Sequence, residues 1–386
     1  MGSAPSRVVG SGEARSKWVV ATAALFLAAV GLFYLRYELR AYSVLMHFSD
    51  PEASGALLRW ETQAIAVAEV SIPTSGGSIP ALLYSPQGVA HPPGIVLVHG
   101  IHHLAIHDPR FVNLARALSG DGFAVLTPFL ASLADYRVDA SSIPEIGESA
   151  QWLEGRLGRS PVTLIGISFG GGLAMLAAAE PQYARSVRAI ALIGGYDDLS
   201  RVSRFLATSE EEFPDGSMVP LAAHDYGGAI LVYDNLERLF SPGDVPAARE
   251  ALRRYLWEQP ETAKPWLEQL SPAGRATMDD LFVRQIARLR PQLLASIQAD
   301  QNEMQALSPH GKIGGLRVPV FILHGSTDNV IPPAESLWLA KDVPREDLRA
   351  VLITPVFSHV DLKGHASLGD ELRLVHFLAG VLRAAN

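Results

Sequence analysis

The sequence predicts an α/β fold, a mostly parallel sheet flanked by helices, on three observations. Short, predominantly apolar runs at 94–98, 162–165, 187–193 and 318–323 have the character of strands buried on both faces. Stretches of helical periodicity separate them, and strand–helix alternation implies parallel pairing with helices on both sheet faces. Each run also stops in a turn where chemistry could sit: His99-Gly100, Gly166-Ile167-Ser168-Phe169-Gly170, Gly194-Gly195 and His324-Gly325.

The chain has 386 residues, 48% of them hydrophobic and 19% charged, enough to bury a large core. A formal net charge of -8 without a dense basic patch argues against a nucleic-acid partner. The absence of cysteine excludes a disulfide scaffold, a thiol nucleophile and cysteine metal sites.

Residues 1–17 read as a polar leader. From 18 to 35 the sequence WVVATAALFLAAVGLFYL carries no charge and is long enough to cross a bilayer as a helix, with Trp18, Phe33 and Tyr34 near its ends. A cleavable signal peptide would have a shorter apolar core and small residues after it, whereas Phe33-Tyr34-Leu35-Arg36-Tyr37 follows here. The expectation is a single-pass anchor. The slight excess of basic residues before it (Arg7, Arg15, Lys17 against Arg36 and Arg40) places the large domain on the non-cytoplasmic side.

Residues 36–62 read as a juxtamembrane helix or linker, and 63–198 as the first part of the α/β core. There, 64–72 and 80–84 flank Ser75-Gly76-Gly77-Ser78, a hairpin signal. Strand 94–98 follows, then a helix at 113–119, a strand at 123–126 and a helix at 146–157. The serine strand, a small-residue helix ending near Pro181, and strand 187–193 complete this part. From 199 to 316 no comparable strand signal appears, and 245–257, 277–290 and 291–307 carry helical periodicity; this is a helical cap insertion. The core resumes over 317–386 with strand 318–323, a helix at 333–340, strand 348–354 and an amphipathic helix carrying Leu368, Leu372, Val375, Leu378 and Leu382 on one face.

Strand, tight turn and helix around Ser168 make an exposed nucleophile. The turn holds the serine in a strained conformation above the sheet edge, Gly166 and Gly170 leave room for the bend, and the helix N-terminus favours developing negative charge. Asp328 stands beyond its strand, and His359 just after the next one. In a parallel sheet both loops emerge at the same carboxyl edge as the serine turn. Asp197 and Asp198, after strand 187–193, are the rival source of a carboxylate, unless they cap the first cap helix. His365 is the rival histidine.

The order Ser168, Asp328, His359, with the Gly-Ile-Ser-Phe-Gly turn, an earlier His-Gly and a helical insertion before the acid, resembles the α/β-hydrolase superfamily, in particular its esterase, lipase and dienelactone-hydrolase-like members. The last typically use a cysteine nucleophile, and this chain has none. The resemblance spans roughly 64–386. It implies a serine hydrolase cleaving carboxylic esters through an acyl-enzyme: Ser168 attacks, His359 takes and returns the proton, and Asp328 fixes the histidine tautomer. It implies an oxyanion hole built from the N–H groups of Phe169 and Ile101.

With that loop so employed, a metal at His99, His102, His103 and His107 is not expected, nor any organic cofactor. His102 and His103 are candidates for lining the substrate pocket. The expected partners are a small-molecule ester, possibly lipid-like, and the membrane through the N-terminal helix. An amidase, thioesterase or acyltransferase could use the same triad, and a non-catalytic binding protein on this fold is the reading from a different class.

Overall fold

The computed structural model describes residues 11–55, 58, 62–158, 160–282, 286–356 and 367–386, and side chains from residue 25 onward. The described residues form an eight-stranded sheet in the order β1-β2-β4-β3-β5-β6-β9-β10. Strands β1 (Ile65–Thr74) and β2 (Gly77–Pro86) are the hairpin read from the sequence, with Thr74 opposite Gly77. Strand β2 also pairs antiparallel with β4 (Ala124–Pro128). All other pairings are parallel: β4 with β3 (Gly94–Val98), β3 with β5 (Val162–Ile167), β5 with β6 (Val187–Ile193), β6 with β9 (Val320–Gly325), and β9 with β10 (Leu348–Thr354). Every residue of β3, β4, β5 and β9 is buried, as a sheet covered on both faces requires.

Helix α1 runs from Ser11–Ser49, α2 spans Pro109–Gly120, α3 Ser142–Arg156 and α4 Phe169–Ala179. Helix α2 begins four residues before the predicted 113–119. Asp108 caps it by accepting from the N–H groups of Arg110 and Phe111, and Pro109 sits where no intrahelical N–H is needed. The cap consists of α5 (Leu199–Thr208), a small hairpin of β7 (Glu210–Glu212) and β8 (Met218–Pro220), and helices α6 (Asp225–Asp234), α7 (Val245–Leu256), α8 (Pro272–Phe282), α9 (Ile286–Ala299) and α10 (Gln301–Ala306). Helices α11 (Ala334–Asp342) and α12 (Leu368–Ala385) complete the core.

Two apolar layers sandwich the sheet. One joins it to α3, α4 and the cap, and the other joins it to α1, α2 and α12. The buried stripe of α12 is Leu374, Phe377, Val381 and Leu382, whereas Leu368 and Leu372 are exposed. The face predicted for this helix therefore adjoins the buried one, sharing Leu382 with it, while Val375 and Leu378 are half-buried beside it.

Residues 36–49, expected as a juxtamembrane segment, continue α1 and pack on the core: Tyr37, Ala41 and Val44 are buried in the second layer. Arg40 fixes this contact. Its guanidinium lies 2.9 Å from Asp121 Oδ2, donates to the Asp121 carbonyl, and sits over the rings of Tyr37 and Phe123. Breaking a buried pair by removing one partner leaves the other charge under-compensated, so Arg40→Ala should lower the unfolding free energy by about 3 kcal/mol in urea titrations, with Arg40→Lys intermediate.

The sequence reading is corrected in one respect. Among the described residues no helix is long and apolar enough to cross a membrane. The predicted span at 18–35 lies within α1; its side chains are described from Leu25 onward, and Leu25, Phe26, Leu27, Leu32 and Phe33 are exposed.

Candidate active site

Ser168 ends β5 and precedes α4 with φ 53° and ψ -132°, a positive φ that a residue with a side chain adopts at a cost. Surrounding contacts enforce it. The Ser168 N–H donates to the Ile193 carbonyl at 2.8 Å, and the Gly171 N–H donates back to the Ser168 carbonyl at 2.8 Å. A Cβ at Gly170 would stand 2.2 Å from the His99 carbonyl oxygen, and one at Gly166 would stand 2.6 Å from the Gly171 Cα. Both flanking glycines are thus required by backbone approach, as the Gly-x-Ser-x-Gly spacing predicts. Ser168 itself is 5% exposed.

Gly100 meets the serine directly, since a Cβ there would lie 2.9 Å from Ser168 Cβ. The loop after β3 and the serine turn therefore lie side by side. Phe169 is the first residue of α4, and an N–H in that position has no intrahelical acceptor. Ile101 follows Gly100, and its carbonyl accepts a hydrogen bond from Tyr226 Oη of α6 at 3.3 Å, so the cap helps to fix the peptide plane of this loop. Sequence reasoning missed Tyr226, because its role arises from how the cap packs and no local motif marks it.

His99 underlies the loop. It is buried; its Nε2 accepts from the Leu130 N–H at 3.1 Å, which leaves Nδ1 as the donor to the Gly100 carbonyl at 2.7 Å. Burial pushes the imidazole down from an ordinary 6.5 to about 4, against the Gly100 hydrogen bond. The unfolded chain takes up the proton near pH 6.5 and the folded protein only near pH 4. Stability from this residue is therefore complete above about pH 6.5 and is lost as pH falls toward 4. The difference in unfolding free energy between wild type and His99→Gln should shrink by about 2 kcal/mol between pH 7.5 and pH 5, measured by urea titration at both values.

Asp328 is buried beyond the end of β9. Its Oδ1 accepts from the N–H groups of Val330 and Ile331 at 2.9 and 3.1 Å, while Oδ2 lies 3.4 Å from where a Gly194 Cβ would be, beside the end of β6. His324 Nε2 stands 3.5 Å from Oδ2, but its hydrogen goes to the Ile331 carbonyl at 2.9 Å and its Nδ1 meets Ser336 Oγ at 2.6 Å, so this histidine is structural. The loop carrying His359, and His365 with it, lies outside the described residues.

Asp198, one of the rival acids, caps α5 by accepting from the Arg201 N–H at 3.0 Å. Asp197 Oδ2 is 2.8 Å from Arg201 Nη2 and 3.0 Å from His310 Nδ1. Burial, reinforced by Glu335, pushes its carboxyl up to about 7. Among the described residues Asp197, His310 and Asp342 could bring ligand atoms within 4.8 Å of one another. The Arg201 guanidinium already supplies positive charge there, bonding Asp197 and Glu335 together.

A cavity of about 410 Å³ opens at Ser168, and His99, Gly100, Ile101 and His102 line it on this side. His102 faces Asp108, with Nδ1 3.5 Å from Oδ2. His103, the other pocket candidate, turns to the cap instead: its Nδ1 lies 3.0 Å from Tyr136 Oη and its ring packs against Trp257. The Tyr136 hydroxyl donates to the Leu256 carbonyl, so it is the acceptor from His103.

Solved structures similar in outline include an acylaminoacyl peptidase from Pyrococcus horikoshii (13% identity, TM-score 0.48, 83% of this chain and 41% of that one). They also include an esterase from Pyrobaculum calidifontis (16% identity, TM-score 0.46, 92% of both chains) and a 2-hydroxy-6-oxo-6-phenylhexa-2,4-dienoate hydrolase from a Rhodococcus species (18% identity, TM-score 0.42, 77% of this chain and 93% of that one). This chain thus spans about two fifths of the peptidase. No curated protein sequence matches it. A family model for the alpha/beta hydrolase fold matches residues 93–353, more than half of the chain and the stretch that holds the serine turn, the His-Gly loop and Asp328, and the chain belongs to that family.

Proposed function

We propose that the protein is a serine hydrolase that cleaves carboxylic esters through an acyl-enzyme intermediate. The observation that carries this reading is the strained Ser168, which lines a cavity of about 410 Å³ at a helix N-terminus and against the His99-Gly100-Ile101 loop. Ser168 Oγ attacks the acyl carbonyl, and His359 accepts its proton and passes it to the leaving alcohol. Asp328, held by two backbone N–H groups, orients that histidine. The N–H groups of Phe169 and Ile101 receive the oxyanion, each worth about 3 kcal/mol in the transition state. Water then releases the acid. No metal or organic cofactor enters this scheme. An amidase, thioesterase or acyltransferase would differ only in what is cleaved or in what accepts the acyl group.

The test is labelling with a tagged fluorophosphonate. Wild type should label, whereas Ser168→Ala and His359→Ala should not; equal labelling of Ser168→Ala would remove the serine from the mechanism. Product analysis with added glycerol separates hydrolysis from acyl transfer.

Association of the exposed apolar residues of α1 with a membrane surface belongs to the same proposal. It is supported by the eighteen uncharged residues between Lys17 and Arg36 and by the exposed Leu25, Phe26, Leu27 and Leu32. The full chain should float with liposomes, and replacing Leu25, Phe26 and Leu27 by Ser should release it. Flotation of the triple variant would show that this segment is not the attachment.

A further inference from the structure

The cavity at Ser168 has two unlike ends. Toward the loop after β3 it is polar, with His102, Asp108, Arg110 and Glu258 on its wall. The other end passes under the sheet face that carries Ile165 and Ile167 of β5, Ala191 and Ile193 of β6, and Leu323 of β9. These residues alternate along their strands and so line one side together. Opposite them stand Val44, Leu45 and Phe48 of α1 on one flank, and Leu374, Phe377 and Leu378 of α12 on the other. Among the described residues this lobe contains no charged side chain.

We propose that the apolar lobe between α1, α12 and the sheet is an acyl-chain site, and that it takes the unbranched aliphatic chain of the ester whose carbonyl is attacked by Ser168. The N-terminal helix is then a specificity element of the enzyme as well as a segment preceding it. This rests on the serine-hydrolase reading for the position of the carbonyl; the binding of the chain itself does not.

Three features select an aliphatic chain as occupant. The lobe is continuous with the serine, so a chain joined to the reacting carbonyl enters it without leaving the cavity. Among the described residues its walls are methyl, methylene and phenyl groups, with no hydrogen-bonding side chain to orient a polar ligand. The acyl group stays on the serine through both half-reactions while alcohol leaves and water arrives, and the polar end provides the route for those two. The acyl portion therefore belongs in the dry lobe. Leu45, Phe48 and Leu378 are half-buried at its rim, so bulk added there fills the lobe without entering the close-packed core.

The experiment uses the full chain. For wild type, kcat/KM for p-nitrophenyl esters from acetate to dodecanoate should rise by up to about fourfold per methylene until the lobe is filled. Leu45→Trp on α1 and Leu378→Trp on α12 should each lower the octanoate-to-acetate ratio at least tenfold. Calorimetric titration with dodecanoate, which needs no turnover, should show binding to wild type and at least tenfold weaker binding to both variants. A chain-length profile that is flat, or steep but unmoved by both substitutions, overturns the site, as does dodecanoate binding that both substitutions leave intact. If fluorophosphonate labels Ser168 while dodecanoate does not bind, the acyl site is wrong and the hydrolase reading survives. If dodecanoate binds and both tryptophans block it while neither probe nor ester reacts, the site stands and the hydrolase reading falls. A rate that depends on the alcohol chain and not on the acyl chain would assign the lobe to the leaving group and overturn the proposal.

Discussion

Ser168→Ala should abolish ester turnover, lowering kcat by at least about 10⁴-fold, while leaving the unfolding transition close to that of wild type or slightly higher. The two parts of this expectation come from one observation. Ser168 occupies φ 53°, which strains any residue with a Cβ, and the strain is retained by alanine, so no backbone relaxation accompanies the change. Among the described residues the hydroxyl caps no helix N–H, and the turn is held through the serine backbone's own partners, Ile193 and Gly171. Steady-state kinetics with a short-chain p-nitrophenyl ester, alongside urea unfolding of both proteins, checks it. Ser168→Gly is the informative companion: it loses the same hydroxyl but relieves the positive φ, so it should be equally inactive and at least as stable as Ser168→Ala. A variant that unfolds at lower urea would mean that the serine serves the fold. Retained turnover in a folded Ser168→Ala would move the nucleophile elsewhere.

Much of this arrangement was readable from residue order, for a physical reason. Central parallel strands are buried on both faces, so 94–98 and, apart from Arg188, 187–193 appear as apolar runs whose limits match the strands of the structure. The glycine spacing around Ser168 is likewise local, since it records how closely neighbouring backbones approach. What depends on packing between distant segments was less legible. The helix after Asp108 begins earlier than its apolar periodicity, because a cap rather than a hydrophobic residue starts it. In the last helix the i, i+3, i+4 spacing gives a stripe but not which of two adjoining stripes meets the sheet, and the partners of Phe377 lie on β9. Residues Tyr37, Ala41, Val44, Leu45 and Phe48 already recur at helical spacing beyond Arg36. That pattern could have shown that α1 docks on the domain, had the apolar run before it not drawn the whole segment into a membrane reading. Tyr226 gave no signal at all, since its partner, the Ile101 carbonyl, is 125 residues away.

Asp328→Asn should lower kcat by about 10⁴-fold, close to the loss expected from wrong-tautomer stabilisation of a catalytic histidine, even though the side chain keeps its shape. The geometry dictates which way the amide must point. Two backbone N–H groups, of Val330 and Ile331, converge on Oδ1, so the amide oxygen has to occupy that position; an NH₂ there would face two donors. The NH₂ is thereby forced into the place of Oδ2, on the side of Gly194 and the carboxyl edge of β6, where the proposed base arrives. In the proposed mechanism a donor then stands where an acceptor is needed for the imidazole N–H, so the histidine would turn its hydrogen toward the serine and lose its ability to accept a proton. Asp328→Ala removes the orienting acceptor without presenting a donor, so it should be no worse than Asp328→Asn and somewhat better at high pH, where hydroxide assists. The two rivals predict otherwise. Asp198 is committed to the N–H of Arg201 and Asp197 to Arg201 and His310, so Asp197→Asn should reduce stability through the cap junction while retaining turnover in the folded fraction. Measuring kcat across pH for the three variants, with unfolding curves to normalise for folded protein, separates them. If Asp328→Asn keeps a tenth or more of wild-type kcat, the orienting carboxylate is not Asp328, and the anchoring of its Oδ1 serves only the loop that follows β9.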